Sequence, residues 1–552
     1  MMSSSFRGLA LAASLFAAAL PFAASAAPKT ICTITVNSPD EKETFRRNLP
    51  PGDYNFVELV ERGRKDWLAS ACEQKVQCDS LVISGHFDDG DEFYTDRFDV
   101  SEYLTVLEME RTSCSDSCPG VFSQLKEVYL FGCNTLKTEP RQVAGADITR
   151  ALLRSGQSPS DAARLSALLG DTHARSNRDR MRQIFKDVPV IYGFSSKAPL
   201  GKYAGPLLEK YFQTAPPGEI GSGQVSQKLL SLFGPSSMTV TAGLRDGEPQ
   251  ARARADACRF VDDRISPAHK LAFFHDMLKR DMPEVRMHLG DMERFMSSLG
   301  VAGTLRPDAA EALARVAADH ASRERYLAFA RDADEPAMRT RMMALATRLG
   351  WLTPVQEQAE FVRMIGERMA RDALGMEEVN LACTRGGEDD AAVRPLLGGA
   401  LKYAKVAPAA ALACLGSAQA RERVVRAVTS HDPEEIDIAR AYLRQRPLVD
   451  AAEVRAVATA IGRMPASLSQ VRAIETLAQQ RVSDPESLRE IARMFPLAKS
   501  LPAQRAIAAL LIRANHRVLG SGELTQTLKR HRLKSPDGED VIDALIRVLQ
   551  AG

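Results

Sequence analysis

Two residue types that act together in nucleophilic catalysis each follow a short apolar run of the sequence. His86 comes directly after the run 81–85, and Cys133 comes directly after the run 128–132. A cysteine thiolate is a nucleophile, and a neighbouring histidine can take the thiol proton and later protonate a leaving group. The alternative interpretation is a loop histidine and a small buried apolar cysteine. The matched positions of the two residues favour catalysis.

The two apolar runs have the composition of buried β-strands. Both are short and rich in β-favouring residues, as strands of a parallel sheet are. In open α/β sheets, ligand sites form outside the carboxyl ends of the strands. His86 and Cys133 are therefore expected to meet at one edge of a sheet. We also predict strands over 30–36, 188–194 and 237–241, and helices over 55–68 and 101–109.

The motifs at the strand ends are Ser84-Gly85-His86-Phe87 and Phe131-Gly132-Cys133-Asn134-Thr135. This layout resembles the caspase–gingipain–separase superfamily of cysteine peptidases, which includes CHAT-type domains. The resemblance covers roughly residues 28–245. It implies an α/β caspase-like domain, with a mostly parallel sheet flanked by helices and with Cys133 and His86 as the catalytic pair. It also implies an oxyanion site and substrate cleft formed by Gly85, Phe87, Gly132, Ser195 and Ser196.

One position departs from the superfamily pattern. Phe87 stands where a glycine usually follows the histidine and lends its N–H to the oxyanion site. Phe87 also has a backbone N–H, but its side chain restricts the backbone and is large enough to crowd a substrate. This departure favours a domain that has kept the fold and lost catalysis.

The first 26 residues have the pattern of a secretory signal peptide. Arg7 precedes an apolar run from Leu9 to Phe22, and Ala24-Ser25-Ala26 supplies small residues for cleavage. The run is short and is interrupted by Ser14 and Pro21, which disfavours a membrane anchor. We expect a periplasmic or secreted chain without a membrane span.

Length and charge limit the classes of function. With 552 residues, the chain is expected to form more than one domain. Its 72 basic and 70 acidic residues leave a formal net charge of +2, which gives no support for nucleic-acid binding. No phosphate-binding loop or HExxH zinc motif is present, so no cofactor or metal is expected. The expected substrate or partner is a protein or peptide.

Because the chain is expected to be exported, its nine cysteines are expected to form disulfides, as is usual in oxidising compartments. Their odd number leaves at least one thiol without an intramolecular partner. A zinc site at Cys114-Ser-Asp-Ser-Cys118 would lack a second ligand pair. A scheme that leaves Cys133 free predicts four disulfides: Cys72–Cys78, Cys114–Cys118, Cys383–Cys414 and Cys32–Cys258.

From about residue 265, helical spacing of Ala, Leu, Arg and Glu replaces the strand patterns. Asp or Ser followed by a helical pattern is a typical helix start. Helices are expected to begin near Asp432, Asp450, Ser467, Asp484 and Pro502, roughly 17 residues apart. Such helices can stack into a solenoid. The stretch resembles HEAT-type repeats, for example over 390–394 and 432–436; an irregular helical bundle is the alternative.

These patterns divide the chain into a signal peptide (1–26), a caspase-like α/β domain (27–256) and an all-α, HEAT-like solenoid domain (265–552). They predict an exported caspase-like cysteine peptidase with a helical domain that docks a substrate or partner. The alternative is a catalytically inactive caspase-like domain joined to a HEAT-like protein-binding scaffold. A free Cys133 favours the enzyme.

Overall fold

The structure is a computed structural model. It describes residues 27–59, 68–87, 91–95, 103–115, 121–139, 148–149, 152–153, 157–173, 176–216, 218–300, 305–385, 405–480, 482–514, 519–535 and 540–551. The predicted signal peptide and the repeat motif 390–394 lie outside these residues. Within them, no helix is both long enough and apolar enough to cross a membrane.

The chain forms two compact units. The first contains Met1–Val143 and Leu169–Ser266, and the second contains Ala144–Leu168 and Pro267–Gly552. The first unit is a mostly parallel α/β sheet with helices, and the second is helical throughout its described residues. The predicted change of character near residue 265 coincides with the division at Pro267.

The first unit contains eight strands in its described part: β1 (Lys29–Thr35), β2 (Tyr54–Glu58), β3 (Ser80–Ser84), β4 (Glu92–Tyr94), β5 (Tyr103–Thr105), β6 (Glu127–Phe131), β7 (Val190–Phe194) and β8 (Met238–Thr241). Its helices are α1 (Asp40–Asn48), α2 (Ala69–Glu73), α3 (Val106–Cys114), α4 (Pro159–His173, which continues from the second unit), α5 (Asn177–Ile184), α6 (Gly201–Phe212), α7 (Gln227–Phe233) and α8 (Gln250–Val261).

Six strands form one sheet in the order β2-β1-β3-β6-β7-β8. All neighbouring pairs are parallel except β7 with β8, which is antiparallel. Strands β4 and β5 form a separate antiparallel hairpin. The apolar runs that precede His86 and Cys133 are β3 and β6, and they lie side by side with Ser84 paired to Phe131. Their carboxyl ends therefore point to the same edge of the sheet.

Both faces of the sheet are buried, as the apolar composition of its strands predicts. Side chains alternate between the faces, so Leu81 and Ile83 pack into one core while Val82 packs into the other. The predicted helix over 55–68 is wrong at its start, because Tyr54–Glu58 is the edge strand β2, parallel to β1.

Three described disulfides join Cys32 to Cys78, Cys114 to Cys258 and Cys383 to Cys414. Only the last of these was predicted; the pairings Cys72–Cys78, Cys114–Cys118 and Cys32–Cys258 are wrong. Spatial contact decides the pairing: Cys32 lies on β1 opposite Leu81 of β3, which places it near Cys78, just before the start of that strand. Cys72 is also disulfide-bonded, and Cys118 lies outside the described residues. These disulfides fit an oxidising, extracytoplasmic location.

The helices of the second unit that follow residue 266 are α9 (Pro267–Leu278), α10 (Met282–Met287), α11 (Leu289–Ser298), α12 (Pro307–Ala317), α13 (His320–Arg331), α14 (Pro336–Arg348), α15 (Pro354–Ala370), α16 (Met376–Arg385), α17 (Val406–Cys414), α18 (Ala418–Ala427), α19 (Pro433–Gln445), α20 (Ala451–Gly462), α21 (Leu468–Ala478), α22 (Pro485–Met494), α23 (Leu501–Arg513), α24 (Ser521–His531) and α25 (Val541–Ala551). The starts of α19 to α23 confirm the five predicted helix starts. Three of the residues named for these starts act as caps: the Asp432, Ser467 and Asp484 side chains accept hydrogen bonds from backbone N–H groups of the first turn.

From α19 onward, most helices pack against the helix two positions along the chain. Helices α19, α21, α23 and α25 follow one another in this way, and α20 packs against α22. Successive helices such as α20 and α21, or α22 and α23, also touch. A shared apolar core runs through this part of the unit, with Ile461, Ile474 and Ile507 among its buried residues.

Candidate active site

A cleft lies at the carboxyl edge of the parallel strands. It is lined by Asn37 and Ser38 after β1, Glu41 in α1, Ser84–His86 at the end of β3, Phe131–Cys133 at the end of β6, and Ala198–Gly201 after β7. The structure thus brings His86 and Cys133 into one cleft, where a parallel sheet is expected to place a ligand site. Four segments that are far apart in the sequence meet there.

Cys133 lies in a turn after β6, and hydrogen bonds from other segments hold this turn in place. Asn134 has a left-handed backbone with a φ of 60°, which Asn tolerates better than most residues. Its N–H donates to the carbonyl of Ser196 at 2.7 Å, and its own carbonyl accepts from Nδ2 of Asn177 at 2.9 Å. The N–H of Ala198 donates to Cys133 Sγ at 3.4 Å. Among the described cysteines, half-buried Cys133 is the one outside a disulfide.

His86 is held by a short antiparallel bridge to Tyr94. Each residue donates its backbone N–H to the carbonyl of the other at 2.9 Å. The two rings lie side by side, with centroids 5.4 Å apart. Since Tyr94 ends β4, the β4–β5 hairpin fixes the backbone from which the His86 side chain enters the cleft.

Phe87 does not crowd the cleft. Its side chain is fully buried and packs on Phe93, with ring centroids 4.6 Å apart. Phe87 is also not among the described residues with a positive φ, so its backbone conformation does not require glycine. The side chain lies in the core, contrary to the expected conflict with a substrate.

The backbone N–H groups near the proposed oxyanion site are not equivalent. Those of Gly85 and His86 donate to carbonyls of Phe131 and Tyr94, so the sheet and the bridge already use them. Within the described part of the chain, the N–H groups of Phe87 and Cys133 donate no hydrogen bond. Of these two residues, Cys133 lines the cleft, whereas Phe87 is fully buried and is not part of its lining.

Gly132 lets the ends of β3 and β6 approach closely. A Cβ at this position would lie 2.9 Å from both the Gly85 carbonyl oxygen and Phe87 Cβ, which is closer than real side chains come. Any larger residue would therefore separate the strand ends that carry His86 and Cys133.

Ser195 and Ser196 are exposed. Their hydrogen bonds hold the loop after β7, and neither residue lines the cleft. Ser195 donates its N–H to the Ser237 carbonyl at 3.1 Å, and the Ser196 N–H donates to the Ser237 hydroxyl at 3.1 Å. The loop instead lines the cleft a few residues later, over Ala198–Gly201. Ser195 and Ser196 themselves are not among the residues that line it.

Glu41 is a cleft residue that the sequence reasoning missed. Its side chain is only 3% exposed, and in the described part of the structure its Oε2 has no hydrogen-bond partner. Burial raises the pKa of this carboxyl from 4.5 to about 7; a hydrogen bond from its own backbone N–H opposes the rise and nearby Asp40 adds to it. The sequence shows only an acidic first turn of a helix, which is commonplace, so no local signal could have identified it.

Within the described residues, no group of three or more His, Cys, Asp or Glu side chains is placed to hold a metal ion. Comparisons of the chain with protein-family models, with curated proteins and with solved structures found no match. The class of protein therefore has to be inferred from the site itself: a mostly parallel α/β domain with a cysteine and a histidine in one cleft at its carboxyl edge.

Proposed function

We propose that the chain is an exported cysteine peptidase of the caspase-like type, in which Cys133 is the nucleophile and His86 the general base. The observation that carries the proposal is that the cysteine outside a disulfide and His86 line one cleft, at the ends of adjacent parallel strands.

The proposed reaction needs only groups that line or adjoin this cleft. His86 takes the thiol proton, and the sulfur attacks the carbonyl carbon of a peptide bond. The N–H group of Cys133 holds the oxygen as it becomes negative. His86 then protonates the leaving amine, and water hydrolyses the thioester to release the acid and restore the thiol. The Ala198 N–H, which donates to Sγ, orients the sulfur and would offset its charge before attack.

We also propose that the second unit is a solenoid of two-helix repeats that docks the substrate or a partner. The support is a set of contacts between equivalent positions about 35 residues apart: Arg440 pairs with Glu475 at 3.0 Å, Asp437 with Arg472 at 2.8 Å, and Arg505 with Asp540 at 3.1 Å. A contact that recurs at a fixed offset is expected when repeats stack on their neighbours. The HEAT-like identity of the repeats is part of this proposal.

The peptidase proposal is tested by reacting the secreted, full-length protein with a mixed peptide library and with iodoacetamide. We expect cleavage of some peptides, and alkylation of Cys133 first among the cysteines, because the others are expected to be in disulfides. Cys133→Ala and His86→Ala should each remove cleavage. The matched controls are Ser231→Ala, at an exposed position of the first unit, and His320→Ala, an exposed histidine of the second.

Two results would contradict the peptidase. One is cleavage that persists in Cys133→Ala. The other is mass mapping that finds Cys133 in a disulfide of the secreted protein. An intact fold with a free Cys133 that cleaves nothing, together with tight partner binding by the helical unit, would instead support the inactive scaffold.

A further inference from the structure

We propose that Thr135 is a positioning residue for catalysis, because its hydroxyl holds the peptide group between Gly132 and Cys133 with the Cys133 N–H directed at the developing oxyanion. This inference rests on the proposed peptidase function and deepens it, since it identifies a side chain that acts through the backbone without touching the substrate. Thr135 lies in the turn after β6, two residues beyond the proposed nucleophile.

The Thr135 hydroxyl makes two hydrogen bonds in the interior of the first unit. The side chain is fully buried. Its hydroxyl donates to the Gly132 carbonyl at 3.2 Å and accepts the Phe194 N–H at 3.0 Å. Because the hydroxyl is donor to one partner and acceptor from the other, it cannot rotate without the loss of a buried hydrogen bond. Thr135 thus links the end of β6 to the end of β7.

This side chain fills a gap that the two strands leave between them. The regular pairing of β6 with β7 ends at Tyr129 and Tyr192, and among the described residues no backbone N–H donates to the Gly132 carbonyl. A buried carbonyl without a partner is costly, and the Thr135 hydroxyl supplies the partner. Gly193 of β7 leaves room for it, since a Cβ at that position would lie 2.6 Å from Thr135 Oγ1.

The direction of the Cys133 N–H follows from the two carbonyls before it. The Phe131 carbonyl accepts the Gly85 N–H on the β3 side, whereas the Gly132 carbonyl accepts the Thr135 hydroxyl on the β7 side. In a trans peptide group, the C=O and the N–H point in opposite directions. The Cys133 N–H therefore points to the β3 side, where His86 follows the strand. The hydrogen bond to the carbonyl also polarises the peptide group and strengthens its N–H as a donor.

The hydroxyl should therefore matter for one kind of reaction at Cys133 and not for another. Attack on a peptide carbonyl creates a negative oxygen that the N–H stabilises, whereas alkylation of the sulfur by iodoacetamide creates no oxyanion. Loss of a whole oxyanion donor costs about 10²–10³-fold in kcat. A donor that remains but is less well aligned should cost less, about 10- to 100-fold.

The test compares hydrolysis with alkylation in the full-length protein, with a peptide that the wild type cleaves in the library. Thr135→Val nearly keeps the shape of the side chain and removes the hydroxyl. We expect its kcat to fall about 10- to 100-fold, with KM and the rate of Cys133 alkylation close to the wild-type values. Thr135→Ser keeps the hydroxyl and should keep most of kcat. Thr135→Ala differs from Thr135→Ser only in the hydroxyl, so this pair gives the same comparison if the Val variant does not fold.

Thr476→Val is the matched control. Thr476 is a fully buried threonine of α21, and its hydroxyl donates to the Arg472 carbonyl at 2.8 Å. The substitution therefore removes a buried hydroxyl with a backbone partner, as Thr135→Val does, but far from Cys133 in the sequence and in the other unit. It should leave both rates at the wild-type values. Circular dichroism and the urea midpoint report the fold of each variant.

The outcomes separate this inference from the function on which it rests. If the wild type cleaves the peptide and the variants without the hydroxyl cleave it equally fast, positioning by Thr135 is overturned and the peptidase stands. The same conclusion follows if hydrolysis and alkylation fall to the same extent, because the hydroxyl would then support the fold or the thiol. If the wild type cleaves no peptide, or if Cys133→Ala cleaves equally well, the peptidase is overturned and this inference with it.

Discussion

The two units of this protein differ in how far apart in the sequence their contacting residues lie. In the first, the cleft joins segments as far apart as Asn37 and Gly201. In the second, ion pairs such as Arg440–Glu475 and Arg505–Asp540 join residues about 35 positions apart. The cleft of the first unit thus joins distant segments, whereas these ion pairs of the second unit join residues on helices that are near one another in the sequence.

This difference indicates which kind of fold can bring the groups of a catalytic site together. A parallel sheet aligns the ends of strands that come from distant parts of the chain, so unlike groups can meet in one cleft. Stacked helices bring together residues at a nearly constant offset, which builds an extended surface but no convergence of unlike groups. The four predictions below test this contrast, from the largest expected effect to the smallest.

The first prediction compares the same kind of core truncation in each unit. Ile83→Ala in β3 and Ile507→Ala in α23 both remove a fully buried side chain and should each lower the free energy of unfolding by about 2–5 kcal/mol. Only Ile83→Ala should also slow alkylation of Cys133, because β3 carries His86. Denaturant unfolding and alkylation rates measure the two effects. If Ile507→Ala slows alkylation as much, the units are not independent.

The second prediction concerns the pH dependence of stability in the first unit. The pKa of the Glu41 carboxyl is about 7 in the folded chain, whereas its ordinary value is 4.5. Folding therefore favours the protonated form. Below about pH 4.5 the carboxyl is protonated in both the folded and the unfolded state, so the pKa difference does not change the free energy of unfolding. Between pH 4.5 and 7 the folded state becomes less stable, by about 3 kcal/mol in all.

Glu41→Gln cannot ionise and should therefore unfold at higher denaturant concentration than the wild type at pH 8, with little difference at pH 4. Glu43→Gln is the matched control, because Glu43 is not buried. Urea midpoints at the two pH values measure the effect. Equal pH profiles for wild type and Glu41→Gln would contradict the raised pKa.

The third prediction concerns a polar contact between α23 and the chain at the end of α24. Gln504 is 1% exposed and links α23 to the segment after α24: its amide donates to the His531 carbonyl, and its side-chain oxygen accepts from the Leu533 N–H, both at 2.9 Å. Gln504→Ala should cost about 1–3 kcal/mol, since two backbone groups lose their partner. Exposed Gln526 on α24 supplies the control, Gln526→Ala. Hydrogen exchange should show the loss concentrated in α24 and α25; uniform loosening would argue against nearest-neighbour stacking.

The smallest expected effect is that of a single helix cap. The Ser500 hydroxyl accepts the Ala503 N–H at the start of α23, and Ser500→Ala should cost about 1 kcal/mol. Ser231→Ala is the control, because Ser231 is exposed within α7 and the cap of that helix is Ser226. Thermal unfolding of both variants measures the difference, and a loss several times larger would mean that Ser500 does more than cap a helix.

The sequence alone predicted those features that depend on a few neighbouring residues. The apolar runs before His86 and Cys133 are adjacent parallel strands, and the edge strand over Met238–Thr241 is present. The five late helix starts were located from their Asp or Ser caps and first-turn residues. These signals act within one turn of helix or one strand, so they can be read without knowledge of the fold.

Only the tertiary structure decided what depends on distant neighbours. Cys32 pairs with Cys78 because β1 and β3 are adjacent, although Cys72 and Cys78 are closer in sequence. Tyr54–Glu58 is a strand because β1 offers it a parallel partner. The acidic residue Glu41 has a raised pKa because the fold buries it in the cleft. Each outcome depends on which distant segments contact each other. The free energy of those contacts cannot be inferred from any local stretch of the sequence.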